Sequence, residues 1–170
     1  MTVDRTRAVR KAEQLQKKYG TSDPFIIAMN LGIEVRYVNS FKQLKGMYTV
    51  IARNRFIFLN GNNSEEMNRI VCAHELGHDQ LHRDAAKAEP LQEFSLWDFS
   101  GVCEYEANLF AAHLLLSDEE ILFCAAKGKT CVSIAALTET DPNLVALKVE
   151  CLKEKGYTLN DQTYENRFLK

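Results

Sequence analysis

Residues 71–82 of this chain read Val-Cys-Ala-His-Glu-Leu-Gly-His-Asp-Gln-Leu-His. The surrounding pattern predicts a helix over about 65–83. On such a helix His74 and His78 differ by about 40° in azimuth and stand one turn apart, so their imidazoles converge. Glu75 lies about 100° from His74, on the flank of that face. Ile70, Val71, Ala73, Leu76 and Leu81 give the helix apolar surroundings, which places the histidine pair on a largely buried element. Buried paired imidazoles need a partner, and a metal ion is the simplest one. A His-Glu-x-x-His pattern arises by chance in a chain of this composition at a rate of only about 0.8%. Its geometry suits metal-assisted hydrolysis. It offers two nitrogen ligands, room for water, and a carboxylate that reaches the water without being a ligand.

A site of that kind needs a third protein ligand and an open fourth position. His82 continues the row, but positions i and i+8 of a helix are about 12 Å apart, too far to share one ion with His74. His82 is therefore expected to support the site rather than to bind the metal. The acidic segment Glu104-Tyr105-Glu106-Ala107-Asn108 opens another helix, expected over 103–116. Glu104 and Glu106 lie about 200° apart on it, so at most one faces the metal, and spacing alone leaves the choice open. Tyr105 and His113 are candidates for stabilising a developing oxyanion, with packing as the plainer role of each.

The rest of the chain supplies the frame. Residues 3–18 and 24–30 have helical spacing, with Gly20 as a stop and Asp23-Pro24 as a start. Ile33 to Val38 alternates as a strand, and Met47–Ala52 and Arg55–Leu59 read as two more, joined at Arg53-Asn54. Further helices are expected at 118–127, 131–138 and 142–155, while 84–102 shows no clear period. The fold class is α+β: a small antiparallel or mixed three-stranded sheet packed on a helical core. Residues 1–128 are expected to form the metal-binding domain, 129–156 a helical C-terminal extension, and 157–170 a polar tail. The 170 residues suit one domain with a small appendage.

Charge and cysteine content narrow the function classes. A net charge of −2 argues against a dedicated nucleic-acid binder. Helices 131–138 and 142–155 mimic a helix-turn-helix, but the second nets only about +1, too little for reading a groove. Five cysteines, none in a C-x-x-C pair, read as free thiols of a reducing compartment. No segment is apolar enough to span a bilayer and the N-terminus has no signal-peptide pattern, so the expected location is the cytoplasm, away from membranes.

His-Glu-Leu-Gly-His-x-x-Leu-His at 74–82, with Glu-Ala-Asn-x-Phe-Ala-Ala-x-Leu-Leu at 106–115, resembles the ImmA/IrrE family of zinc metallopeptidases. Leu31-Gly32-Ile33 before a strand and Phe56-Ile57-Phe58-Leu59-Asn60 before the metal helix fit the same layout, so the resemblance covers about residues 5–155. Where the family often ends its second motif in Leu-Leu-Met-Pro, this chain has Leu115-Leu116-Ser117-Asp118. The resemblance implies one Zn2+ per chain on His74, His78 and Glu106, with Glu75 as the catalytic base and Glu104 solvated or supporting. It also implies limited cleavage of a protein substrate, a helix-turn-helix repressor of a mobile element or stress response. The alternative is a metal-bound regulator that binds its repressor without cutting it. Zincin substrates bind extended along a strand edge, and strands 47–52 and 55–60 are the expected supply. The aromatic stretch Phe94, Leu96, Trp97 and Phe99 is expected to cover the core or to wall the substrate site.

Overall fold

The computed structural model describes residues 5–93 and 101–159. Among them are eight helices and one four-stranded mixed sheet, in the order α1 (Arg5–Tyr19), α2 (Pro24–Asn30), β1 (Ile33–Val38), β2 (Gly46–Ile51), β3 (Asn54–Asn60), α3 (Glu65–Leu81), α4 (Arg83–Ala88), β4 (Leu91–Glu93), α5 (Val102–Leu115), α6 (Asp118–Ala126), α7 (Cys131–Thr138) and α8 (Pro142–Glu154). The fold is α+β, as the residue pattern leads one to expect. The aromatic stretch 94–99 and the last residues of the polar tail, 160–170, lie outside the described residues.

The sheet order is β1-β3-β2-β4, with β1 parallel to β3 and the other pairs antiparallel. The β2–β3 turn consists of Ala52 and Arg53, both in the left-handed region at φ 50° and 67°. A two-residue turn with positive φ matches the twist of the strands it joins. The turn falls one residue earlier than the sequence suggests, and Asn54 already belongs to β3.

Two expectations about the sheet need correction. It has four strands, not three, because Leu91–Glu93 adds to the edge of β2. Three residues are too few to show a strand's alternation in sequence. Strand β3 also offers no free edge, and the outer edge of β2 is paired along Gly46–Tyr48. β3 is interior between β1 and β2, and the outer edge of β2 carries β4.

Helix α3 starts at Ser64, whose hydroxyl accepts the Met67 amide at 3.2 Å, with Glu65 and Glu66 in the first turn where the helix dipole favours acids. It packs against β2, β3 and α5. The approach to β2 is close at Gly46, where a Cβ would lie 2.3 Å from Val71 Cγ1 and 3.1 Å from Glu75 Oε1. The approach to α5 is close at Gly77, where a Cβ would stand 3.0 Å from Ala107 Cα and 3.1 Å from the Ala107 carbonyl oxygen. Helix α5 is buried continuously from Glu106 to Leu115, with α1 and α8 packed on it. A helix apolar all round belongs in the interior.

A buried carboxylate ties α3 to its surroundings. Asp79 accepts from Tyr48 Oη at 2.7 Å, Arg55 Nη1 at 3.1 Å, Arg83 Nη2 at 3.0 Å and Gln80 Nε2 at 2.6 Å. A charge this deeply buried is tolerated because its lone pairs are filled by charged and neutral donors.

Gly77→Ala tests how tightly α3 and α5 are matched. The added methyl meets backbone, which cannot rotate away. The variant should be less stable by about 1–3 kcal/mol in urea unfolding. Wild-type stability would show that the helices have room to separate.

Candidate metal centre

The one-turn spacing on α3 brings the two imidazoles together, with His78 Nε2 3.0 Å from His74 Nε2. Helix α5 starts at Val102, and Glu104 in its first turn points across to them. One carboxylate oxygen is 3.2 Å from His74 Nε2 and the other 3.5 Å from His78 Nε2. These three side chains are the described group able to share one ion. A tetrahedral ion with bonds of about 2.0–2.1 Å would hold its donors about 3.3 Å apart. The observed separations straddle that value, and two imidazoles with a carboxylate are donors suited to zinc and similar divalent metals.

Glu106, which the family resemblance makes the third ligand, is placed elsewhere. Its carboxylate oxygen lies 3.0 Å from His82 Nε2. The reason is helical phase. The close contact at Gly77 fixes the rotation of α5, and residues two apart then point to nearly opposite sides. Glu106 nevertheless serves the site at one remove, because His82 Nδ1 is 3.1 Å from His78 Nδ1. If His78 keeps Nε2 for a metal, its Nδ1–H donates to His82, whose Nε2–H donates to Glu106. On the other histidine, Nδ1 donates to Asn108 Oδ1 at 2.9 Å. Such outer hydrogen bonds fix the tautomer and orientation of metal-binding imidazoles. Asn108 lies in a motif that the sequence displays, but its role is visible only once α5 is docked.

Glu75 is fully buried beside the cluster. Neither oxygen accepts a well-formed hydrogen bond among the described residues, although the Tyr48 amide lies near enough to oppose its protonation slightly. Burial pushes its carboxyl well above the usual range, and the neighbouring Glu93 and Glu104 charges add to this. The environment of His74 acts in both directions. Burial depresses it, but hydrogen bonds to Glu104 and Glu93 outweigh that and raise it to about 10. Burial lowers His78 to about 4. Glu93, 4% exposed on β4, brings Oε2 to 3.0 Å from His74 Nε2. It carries no sequence signal, since it sits in a segment without periodicity.

The two candidates for oxyanion support are not gathered here. Tyr105 lies under the Arg5 guanidinium, 5.2 Å from ring centre to Cζ. His113 accepts from the buried Lys148 Nζ at 3.0 Å, and Lys148 also pairs with Asp118 at 2.5 Å. Burial, then the Lys148 charge, lowers His113 to about 3. Lys148, one of the cations on the helix-turn-helix-like segment, is only 2% exposed and committed to this cluster.

The fold and the site together define a class: α+β proteins built around a His-Glu-x-x-His helix and a carboxylate from a second helix. Residues 28–149 match the Peptidase_M78 family, the IrrE N-terminal-like domain, and the chain belongs to that family. It is also 39% identical over 106 residues to "Uncharacterized immunity region protein 2" of Bacillus phage phi105. That match covers 62% of this chain and 66% of the phage protein, just under two thirds of the relative's length.

Two outcomes follow from the geometry. Glu104→Ala should weaken Zn2+ binding beyond the roughly 10–100-fold typical of supporting residues, whereas Glu106→Ala should stay within it. Isothermal titration of both variants decides, and the reverse order would restore Glu106 to the metal. For His113, the unfolded group titrates near 6.5 and the folded group near 3. Between those values the unfolded chain holds one more proton, so stability falls as pH falls, by at most about 1.4 kcal/mol per pH unit. Urea midpoints from pH 7 to 4 should fall less steeply in His113→Gln than in wild type. Equal slopes would show that His113 does not titrate this way.

Proposed function

We propose that this protein is a zinc-dependent metallo-endopeptidase that cuts a regulatory protein at a limited site. The observation that carries this reading is the convergence of His74, His78 and Glu104 beside a buried, weakly engaged Glu75. A site that only binds metal has no use for that carboxylate. His74, His78 and Glu104 would hold the ion. Bound there, zinc would act as a Lewis acid on the scissile carbonyl and acidify the attacking water.

The chain's own residues supply the rest. Glu75 takes a proton from the attacking water and gives it to the leaving amine nitrogen as the peptide bond breaks. Asn108 orients His74, and the His82–Glu106 pair orients His78. The contact of β2 with α3 at Gly46 keeps Glu75 away from bulk water.

The substrate class we infer is a helix-turn-helix repressor of a mobile element, which would place the protein in the cytoplasm. The name of the phage relative, an immunity-region protein, supports this direction. No described helix is long and apolar enough to cross a bilayer. The helices of 129–156 would then serve as a cap on the metallopeptidase domain, and α8 packs on α5 and α6.

Glu75→Gln separates an enzyme from a regulator that only binds. With repressors encoded beside the gene as candidate substrates, the variant should retain Zn2+ binding and lose cleavage by at least about a hundredfold. Undiminished relief of repression by the variant in cells would contradict the enzymatic reading and favour the binding one.

A further inference from the structure

Strand β1 closes one side of the sheet, and no described strand pairs with its outer edge. Its pairing with β3 fixes which main-chain groups face outward. The Gly61 amide donates to the Val38 carbonyl at 3.3 Å, so Val38 points toward β3. Alternation turns Glu34 and Arg36 the same way and leaves the amides and carbonyls of Ile33, Val35 and Tyr37 pointing out. None of these outward groups has a hydrogen-bond partner beyond the sheet among the described residues. Sheets commonly blunt such an edge with a proline, a bulge or a very short strand. β1 runs for six residues in unbroken register and has none of these. Its two charged side chains, Glu34 and Arg36, are exposed and of opposite sign, with Arg36 Nη2 2.6 Å from Glu34 Oε1. They present no net charge to repel another strand.

The order of these residues is complementary to its own reverse. Turned antiparallel about Val35, the strand meets a copy of itself with Val35 opposite Val35, Ile33 opposite Tyr37 and Glu34 opposite Arg36. The outward residues then occupy the hydrogen-bonded positions, with two main-chain bonds at each pair. Glu34 and Arg36 fall at the positions between, where facing side chains stand closest. Each acid meets a base of the second copy, once on either side of the two-fold axis. Apolar exposure collects beside the same edge. Tyr37 is 59% exposed, and α2, which packs on β1, leaves Met29 69% exposed.

We propose that β1 is a homodimer interface, through which two copies join their sheets antiparallel about Val35. The occupant is a second copy because the charge order of the strand matches its own reverse, in the register that the outward amides and carbonyls require. β3 separates β1 from β2, the strand that touches Glu75, so the contact leaves the metal centre free. The proposal stands apart from the metallopeptidase reading.

Sedimentation velocity of the full chain, from micromolar to near-millimolar concentration, tests the pairing. Wild type should show a reversible dimer. Arg36→Glu sets two acids against each other at both symmetric positions, and Glu34→Arg sets two bases. Each variant alone should weaken the dimer at least about tenfold. Both side chains are exposed, so the fold should tolerate each change. An equimolar mixture of the two variants restores both opposite-charge contacts and should recover dimers of wild-type affinity. The double variant Glu34→Arg/Arg36→Glu should do so by itself. A wild type that stays monomeric throughout would overturn the proposal and leave the edge to a strand of another protein. A dimer indifferent to the single variants, or variants that do not recover on mixing, would place the contact elsewhere and overturn it equally.

Discussion

Helices α3 and α5 meet backbone to backbone at Gly77 and Ala107, with no space for even a methyl group between them. Close-packed interiors transmit such a constraint, because neither helix can rotate or slide without a clash. One turn before Gly77 stands His74 and directly after it His78. One turn before Ala107 stands Glu104. The three donors thus take their separations of 3.0–3.5 Å from a contact that contains no polar atom of the site. The same contact turns Glu106 away from the His74–His78 pair and onto His82.

Polar order is layered around that contact. Asn108 and the His82–Glu106 pair engage the outer nitrogens of the two imidazoles, so each ring presents Nε2 to the common point. Further along α3, Asp79 gathers Tyr48, Arg55 and Arg83 and ties the helix to β2, β3 and α4. Helix α3 is therefore held from the sheet side as well as by α5. Preorganisation of this kind is what an electrostatic catalyst requires, because donors already in place need no rearrangement during reaction.

Much of this was legible in the residues. Helical spacing located α1 to α3 and α5 to α8 to within a few residues, because most have an apolar period or a clear cap such as Ser64 or Asp23, and α5 shows itself as a long apolar run. The relation of His74, Glu75 and His78 is local to one helix, so spacing alone determines it. The choice between Glu104 and Glu106 is different. It depends on how α5 is rotated against another element, and that rotation is set by tertiary contact at Gly77. The family resemblance pointed to Glu106, two residues from the side chain that meets the histidines. Glu93 was beyond reach for a related reason. A three-residue strand carries no period, and its register against Gly46 is a property of the folded sheet. The parallel placement of β1 against β3 likewise follows from how the chain crosses over, not from the alternation of its residues.

Anomalous diffraction at the zinc absorption edge, from crystals grown with stoichiometric Zn2+, tests the arrangement most directly. One peak should lie within bonding distance of His74 Nε2, His78 Nε2 and the Glu104 carboxylate, with Glu106 still on His82. A peak bonded to Glu106 in place of Glu104, or none beside α3, would contradict the proposed metal centre and the role assigned to the Gly77–Ala107 contact.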